Sequence, residues 1–127
     1  MADCDWVVLC DYAFPDHRGK LCLIGIFDVI YAPNVPAVHE RAAVAFSVFG
    51  EPGERVELKL EIISPQGQVI TKSPAQVFTL PDAGSAQGRI ELRGLPLNDF
   101  GRYAMQIDLG PASTKATWFT LQQKTSP

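Results

Sequence analysis

The chain has 127 residues, one domain's worth, and is long enough to bury a core without disulfide or metal support. Hydrophobic residues make up 46% and charged residues 20%, an ordinary globular balance that argues against disorder. With 11 basic and 14 acidic residues the net charge is −3, the wrong sign for the basic surface of a nucleic-acid-binding domain.

The opening Met1-Ala2-Asp3-Cys4-Asp5 is acidic and has neither the basic start nor the cleavage site of a secretory signal. The longest apolar stretch, 21–32, is interrupted by Gly25 and Asp28 and falls short of the roughly 20 residues a membrane span needs. Three cysteines, Cys4, Cys10 and Cys22, are an odd number in a chain that needs no bridges. A cytoplasmic location with reduced thiols, away from membranes, is the expectation.

Short β-rich runs separated by turn residues dominate the chain. Strands are predicted at 5–14, 20–32, 43–50, 54–63, 68–71 continuing to 76–80, 87–93, 102–109 and 114–122. The turns fall at Pro15-Asp16-His17-Arg18-Gly19, Glu51-Pro52-Gly53, Ser64-Pro65-Gln66-Gly67, Pro81-Asp82-Ala83-Gly84-Ser85, Asn98-Asp99-Phe100-Gly101 and Gly110-Pro111. Only 37–43, after Pro36, has the composition for a short helical turn. Strands at this spacing, with no sustained 3.6-residue period, predict one all-β domain over 1–127, a two-sheet antiparallel sandwich of about 7–9 strands.

The later strands alternate cleanly. Val56, Leu58, Leu60 and Ile62 oppose Arg55, Glu57, Lys59 and Glu61, and Tyr103, Met105 and Ile107 oppose Arg102, Gln106 and Asp108. The first two strands break this rule. Trp6, Val8, Cys10, Tyr12 and Phe14 line one face of the first, yet Val7, Leu9 and Ala13 line the other. In the second, Leu21, Leu23 and Phe27 oppose Cys22, Ile24 and Ile26. A hairpin apolar on both faces needs cover on both, from its own chain or from a partner. Val7, Leu9, Ile24 and Ile26 are therefore candidate interface residues. Asp11 and Asp28 interrupt these apolar faces; they either bond backbone or tyrosine partners or face solvent at a sheet edge, or they form the candidate polar site.

No constellation for catalysis emerges. The three cysteines lie in or beside apolar strands, where a thiol behaves as a small hydrophobe, and His17 and His39 sit near turns. Metal-ligand spacing and phosphate-binding loops are missing, so no cofactor is expected. A Cys10–Cys22 bridge fails on geometry: with Phe14 opposite Leu21 the two thiols project to opposite faces, and a one-residue slip brings them only diagonal.

Two resemblances add to this reading. The run Asp99-Phe100-Gly101-Arg102-Tyr103-Ala104-Met105 resembles the Asp-x-Gly-x-Tyr-x-Cys signature of immunoglobulin-like domains. The resemblance implies an immunoglobulin-like sandwich in which Tyr103, with Asp99 and Gly101, forms a tyrosine corner. Met105 stands where that family has a bridging cysteine, so no inter-sheet disulfide is implied. The segments Val8-Leu9-Cys10-Asp11-Tyr12-Ala13 and Gly19-Lys20-Leu21-Cys22-Leu23-Ile24-Gly25-Ile26-Phe27-Asp28 resemble a family of small bacterial proteins of unknown function. That likeness supports the fold and a bacterial origin and carries no functional residue.

The leading expectation is a non-enzymatic module that binds itself or another protein. A sandwich that binds a small molecule or divalent cation, through Asp11 and Asp28 or the loops near Asp16, Asp82 and Asp99, is the alternative. A small enzyme is the least favoured reading.

Overall fold

The alternating runs resolve into ten strands in the computed structural model, which describes residues 1–110 and 113–124. In chain order they are β1 (Asp3–Pro15), β2 (Leu21–Ile26), β3 (Val29–Ala32), β4 (Ala37–Phe49), β5 (Arg55–Ile63), β6 (Val69–Lys72), β7 (Gln76–Thr79), β8 (Ser85–Leu97), β9 (Gly101–Asp108) and β10 (Thr114–Gln123). The first sheet has the order β2-β1-β4-β8. The second has the order β3-β10-β9-β5-β6, with β7 also paired to β5. Every pairing is antiparallel except that of β3 with β10, which is parallel. The two layers make the expected all-β, immunoglobulin-like sandwich.

All eight expected runs are strands, and two of them are divided. The run 20–32 breaks at Phe27 and Asp28, where the chain leaves one sheet for the other. The Phe27 N–H donates to the Leu9 carbonyl of β1 at 3.0 Å, and the Asp28 carbonyl accepts from the Thr120 N–H of β10 at 2.9 Å. Two consecutive residues thus hold one bond to each sheet. The run 68–80 breaks at Ser73, whose N–H donates to the Leu60 carbonyl while its hydroxyl accepts from the Leu60 N–H, both at 2.9 Å. Ser73 keeps the chain on β5 while it passes from β6 to β7.

The segment 37–43, expected to allow a helical turn, is instead the first half of β4. Its partner is β8, with Ala37 opposite Leu97 and His39 opposite Leu95. Tertiary pairing along a 13-residue neighbour overrides the local preference of an alanine-containing segment.

Between the sheets lies one core. Val44, Phe46 and Val48 of β4 and Ile90 and Leu92 of β8 meet Leu58, Leu60 and Ile62 of β5, Tyr103, Met105 and Ile107 of β9, and Phe119 and Leu121 of β10. These are the inward halves of the alternating strands, and full burial of each large side chain contributes about 1.5–3 kcal/mol. The Tyr103 ring stacks on Phe119 with centroids 5.0 Å apart. Its hydroxyl donates to the Asp99 carbonyl at 2.7 Å and accepts from the Asp99 N–H at 3.3 Å. This is the tyrosine corner the resemblance implied. Gly101 permits the tight approach: its φ is +131°, and a Cβ there would come within 3.1 Å of the Pro65 ring.

Candidate functional site

The first hairpin is where the alternation failed, and there the structure separates the four candidate interface residues. Val7 and Leu9 are only 7% and 4% exposed and point into the core, whereas Ile24 and Ile26 are 51% and 64% exposed. Val7 and Leu9 are thus corrected from interface to core. They pair in register with Phe46 and Val44 of β4, which carries them to the inner face of the sheet.

The opposite face of β1 has a cluster of its own. Cys10, Ala13, Ala43 and Ala45 are buried together on the outer side of the first sheet, with Trp6, Val8, Leu21 and Leu23 partly buried against them. Ala43 and Ala45 of β4 make this possible, because their methyl groups leave room for the end of the hairpin to fold over the sheet. A cleft of about 470 Å³ between Pro15, Gly19 and Leu21 on one side and Gln87, Gly88 and Arg89 on the other marks how far it reaches. The chain therefore supplies cover for Ala13, Leu21 and Leu23.

The other face of the hairpin, carrying Tyr12, Phe14 and Ile24, stays exposed, and Ile26 is exposed farther along β2. Tyr12 is opposite Ile24 and Phe14 opposite Cys22, so Tyr12, Phe14 and Ile24 form a cross-strand strip, while Ile26 lies opposite the buried Cys10. The Arg41 guanidinium lies 5.1 Å from the centre of the Tyr12 ring and touches the strip from one side. Arg41 and Arg93 both pair with Glu91, at 3.5 and 3.4 Å, so charged side chains border the strip toward β8.

The hairpin register differs by one residue from expectation, since Phe14 pairs with Cys22 rather than with Leu21. The cause is Asp16. Its carboxylate accepts from the backbone N–H groups of Arg18 and Lys20, at 2.8 and 2.9 Å, and draws Lys20 into the turn. Cys10 then faces Ile26, far from Cys22, and all three thiols are free. Burial pushes the Cys4 and Cys10 thiols above their ordinary pKa. Their sulfurs contact backbone carbonyls of Trp6, Tyr12 and Ala43, and neither has a histidine partner to activate it.

Asp11 and Asp28 do not form one site. Asp11 lies opposite Gly25, whose φ is +72°, and its carboxylate occupies the space a Cβ at 25 would need. Asp28 lines a different feature, a groove of about 270 Å³ between Val7, Val8 and Leu9 of β1, Ile26 and Phe27, and Thr117 and Trp118 of β10. Both carboxylates face solvent. The exposed Trp118 carries Arg102 over its ring at 4.3 Å, a pairing that sequence reasoning missed although Thr120 opposite Arg102 in the β10–β9 register brings the two within reach.

His39, expected near the surface, is partly buried with its ring 5.6 Å from that of Phe27, and its Nε2 has no hydrogen-bond partner. His17 is exposed in the Asp16 turn. Among the described residues no three His, Cys, Asp or Glu side chains gather where they could hold a metal ion.

A model of a family of unknown function, DUF6941, matches residues 5–122, and the chain belongs to that family. No curated protein matches it in sequence. Among solved structures it is similar to an immunoglobulin-like protein from Pseudomonas aeruginosa, with 12% identity and a TM-score of 0.51, covering 96% of this chain and 97% of that one. Part of the alkylpurine DNA glycosylase AlkC of Pseudomonas fluorescens, solved bound to DNA, matches with 12% identity and a TM-score of 0.58 over 95% of this chain. Part of a β-glucosidase from Erythrobacter marinus matches with 18% identity and a TM-score of 0.53 over 76% of this chain. This chain spans 30% of the glycosylase and 14% of the glucosidase, and at such identities the likeness is one of fold.

Proposed function

We propose that this member of DUF6941 is a non-enzymatic interaction module, working in the bacterial cytoplasm, whose contact surface is the outward apolar strip of the first hairpin. One observation carries the reading: Tyr12, Phe14 and Ile24 are exposed side by side while the opposite face of the same hairpin is covered by β4. Three free thiols, two of them buried, suit a reducing compartment. A native mass spectrum of the protein purified from its own host tests the reading. A defined multimer or a heteromeric complex is expected, and Ile24→Asp should dissolve it with the fold unchanged. A bare monomer from the same preparation would overturn it.

The groove beside Trp118 supports a second reading, binding of a small molecule between Asp28 and the indole. A ligand that raises the melting temperature with concentration would favour it, and a flat response across a broad ligand and metal panel would count against it.

A further inference from the structure

Two walls of unlike chemistry enclose the cleft of about 470 Å³ between the hairpin turn and β8, a volume within the roughly 300–1,000 Å³ typical of small-molecule sites. Pro15 and Leu21 form an apolar wall, and Ser85, Gln87 and Arg89 of β8 form a polar one. The register fixes which way the polar residues point. Gln87 and Arg89 stand opposite Ser47 and Ala45 of β4, and Ala45 is buried on the outer side of the first sheet. Directly opposed residues share a face. Gly88, between them, faces the core, where a Cβ would meet the Phe46 ring. Gln87 and Arg89 therefore project outward, on the cleft side of the sheet.

The charges around the cleft are of one sign. β8 carries Arg89, Glu91 and Arg93 on its outer face, and Glu91 engages Arg93 at 3.4 Å and Arg41 at 3.5 Å. Arg89 has no ion-pair partner among the described residues. Across the cleft, Gly19 lies between the exposed Arg18 and Lys20, with the exposed His17 before them. The acid of that turn, Asp16, is drawn onto the backbone N–H groups of Arg18 and Lys20. Among the described residues no carboxylate lines the cleft. In a chain of net charge −3 this is a local excess of positive charge, and such an excess concentrates anions.

We propose that the cleft binds a small organic anion, a carboxylate or phosphate monoester on a compact apolar body. The Arg89 guanidinium receives the anionic head through paired N–H donors, a geometry that suits both kinds of head group. Gln87 and Ser85 offer further polar contacts, and the body of the ligand lies against Pro15 and Leu21. A ligand so placed touches the hairpin turn and β8 at once. The site lies apart from the Tyr12–Phe14–Ile24 strip and from the groove beside Trp118, and it stands or falls independently of both.

The test is an amide NMR titration of the full-length protein with phenyl phosphate, phenylacetate, the neutral phenylacetamide and inorganic phosphate. Saturable millimolar binding of at least one aromatic anion is expected, with shifts gathered on both walls, in 18–21 and 86–89. The tighter of the two identifies the head group. Phenylacetamide should not saturate, and inorganic phosphate, which lacks the apolar body, should bind more weakly than the better aromatic anion. Arg89→Gln should weaken that binding about tenfold, as loss of charge-assisted hydrogen bonds does. Arg89→Lys, which keeps the charge without the fork, should weaken it less. Arg93→Gln, on the same face but engaged by Glu91, should leave it unchanged. An unaltered spectrum away from the cleft shows each variant folded. No saturation by either aromatic anion would overturn the proposal. So would shifts centred elsewhere, phenylacetamide binding as tightly as phenylacetate, or an Arg89→Gln variant that binds as the parent does.

Discussion

The first hairpin, β1–β2, and the last, β9–β10, use similar residues to different ends. In β9–β10 inward Tyr103, Met105, Ile107, Phe119 and Leu121 fill the core, and the large apolar side chain left outside, Trp118, has Arg102 laid over it. In β1–β2 Val7 and Leu9 enter the core, Ala13, Leu21 and Leu23 rest on alanines of β4, and Tyr12, Phe14 and Ile24 stay exposed, with Arg41 laid against Tyr12. The same apolar residue is interior, internally covered or exposed according to what the neighbouring strand presents. A pair of alanines at 43 and 45 separates the second case from the third.

Leu9→Asp should break this comparison most severely. A carboxylate among Val44 and its core neighbours has no partner, and the cost of burying it, several kcal/mol, should leave the chain unfolded in a urea titration. Ile24→Asp, on the strip, should shift the stability of the isolated chain by no more than about 0.5 kcal/mol. If the two variants behave alike, the division of the hairpin into core and surface is wrong.

Ala45→Leu should lift the end of the hairpin from the sheet. Overpacking at such a site costs about 1–3 kcal/mol, and amide exchange should quicken in 12–15 and 21–24 while β9 stays protected. Exchange that rises uniformly would mean that the hairpin does not rest on β4 as a separable unit.

In the last hairpin the sharper change is Tyr103→Phe. It keeps the ring on Phe119 and removes both hydroxyl bonds to Asp99, so a loss of about 1 kcal/mol is expected from the urea midpoint. No loss would reduce the corner to packing alone.

The smallest effect concerns the N-terminal end of β1. The Glu54 carboxylate accepts from the N–H groups of Glu51 and Ala2, at 3.0 and 2.7 Å, and these bonds, that from Glu51 foremost, hold its pKa below the ordinary glutamate value. A depressed folded pKa gives stability that is complete above the unfolded value of about 4.3 and is lost as the pH falls through the folded value. Glu54→Gln should therefore make the acid side of the stability profile shallower. It should not flatten it, because Asp3, lowered first by the Ser113 hydroxyl, adds a slope of the same sign. An unchanged acid limb would show that Glu54 does not hold the strand end.

Where the pattern had period two, the core was readable in advance. Leu58 and Ile62, or Tyr103 and Ile107, could face only one way. The corner was readable too, because Asp99, Gly101 and Tyr103 stand at the spacing its geometry needs. The face of β1 was not: Trp6 and Val8 are as apolar as Val7 and Leu9, and only the pairing with Phe46 and Val44 decides which set goes inside. Nor was the passage between sheets at Phe27 and Asp28, which depends on one bond to Leu9 and one from Thr120, a residue near the far end of the chain. For the candidate site, the two-faced apolar pattern singles out Val7, Leu9, Ile24 and Ile26 alike, and the alanine floor under Leu21 and Leu23 has no signature in the sequence of the hairpin itself.

The parallel pairing of β3 with β10 sets the order in which the molecule can be completed during synthesis. Gln123 reaches the Pro33 carbonyl across 90 positions of sequence, and the strands beside it close over similar separations. At translation rates of about 5–20 residues per second, β3 waits roughly 5–20 seconds for β10 to be made. Through that interval Ile30 has no sheet to join and the first hairpin has already left the ribosome with its apolar strip uncovered. Until β10 arrives, the nascent chain can complete only the first of its two sheets.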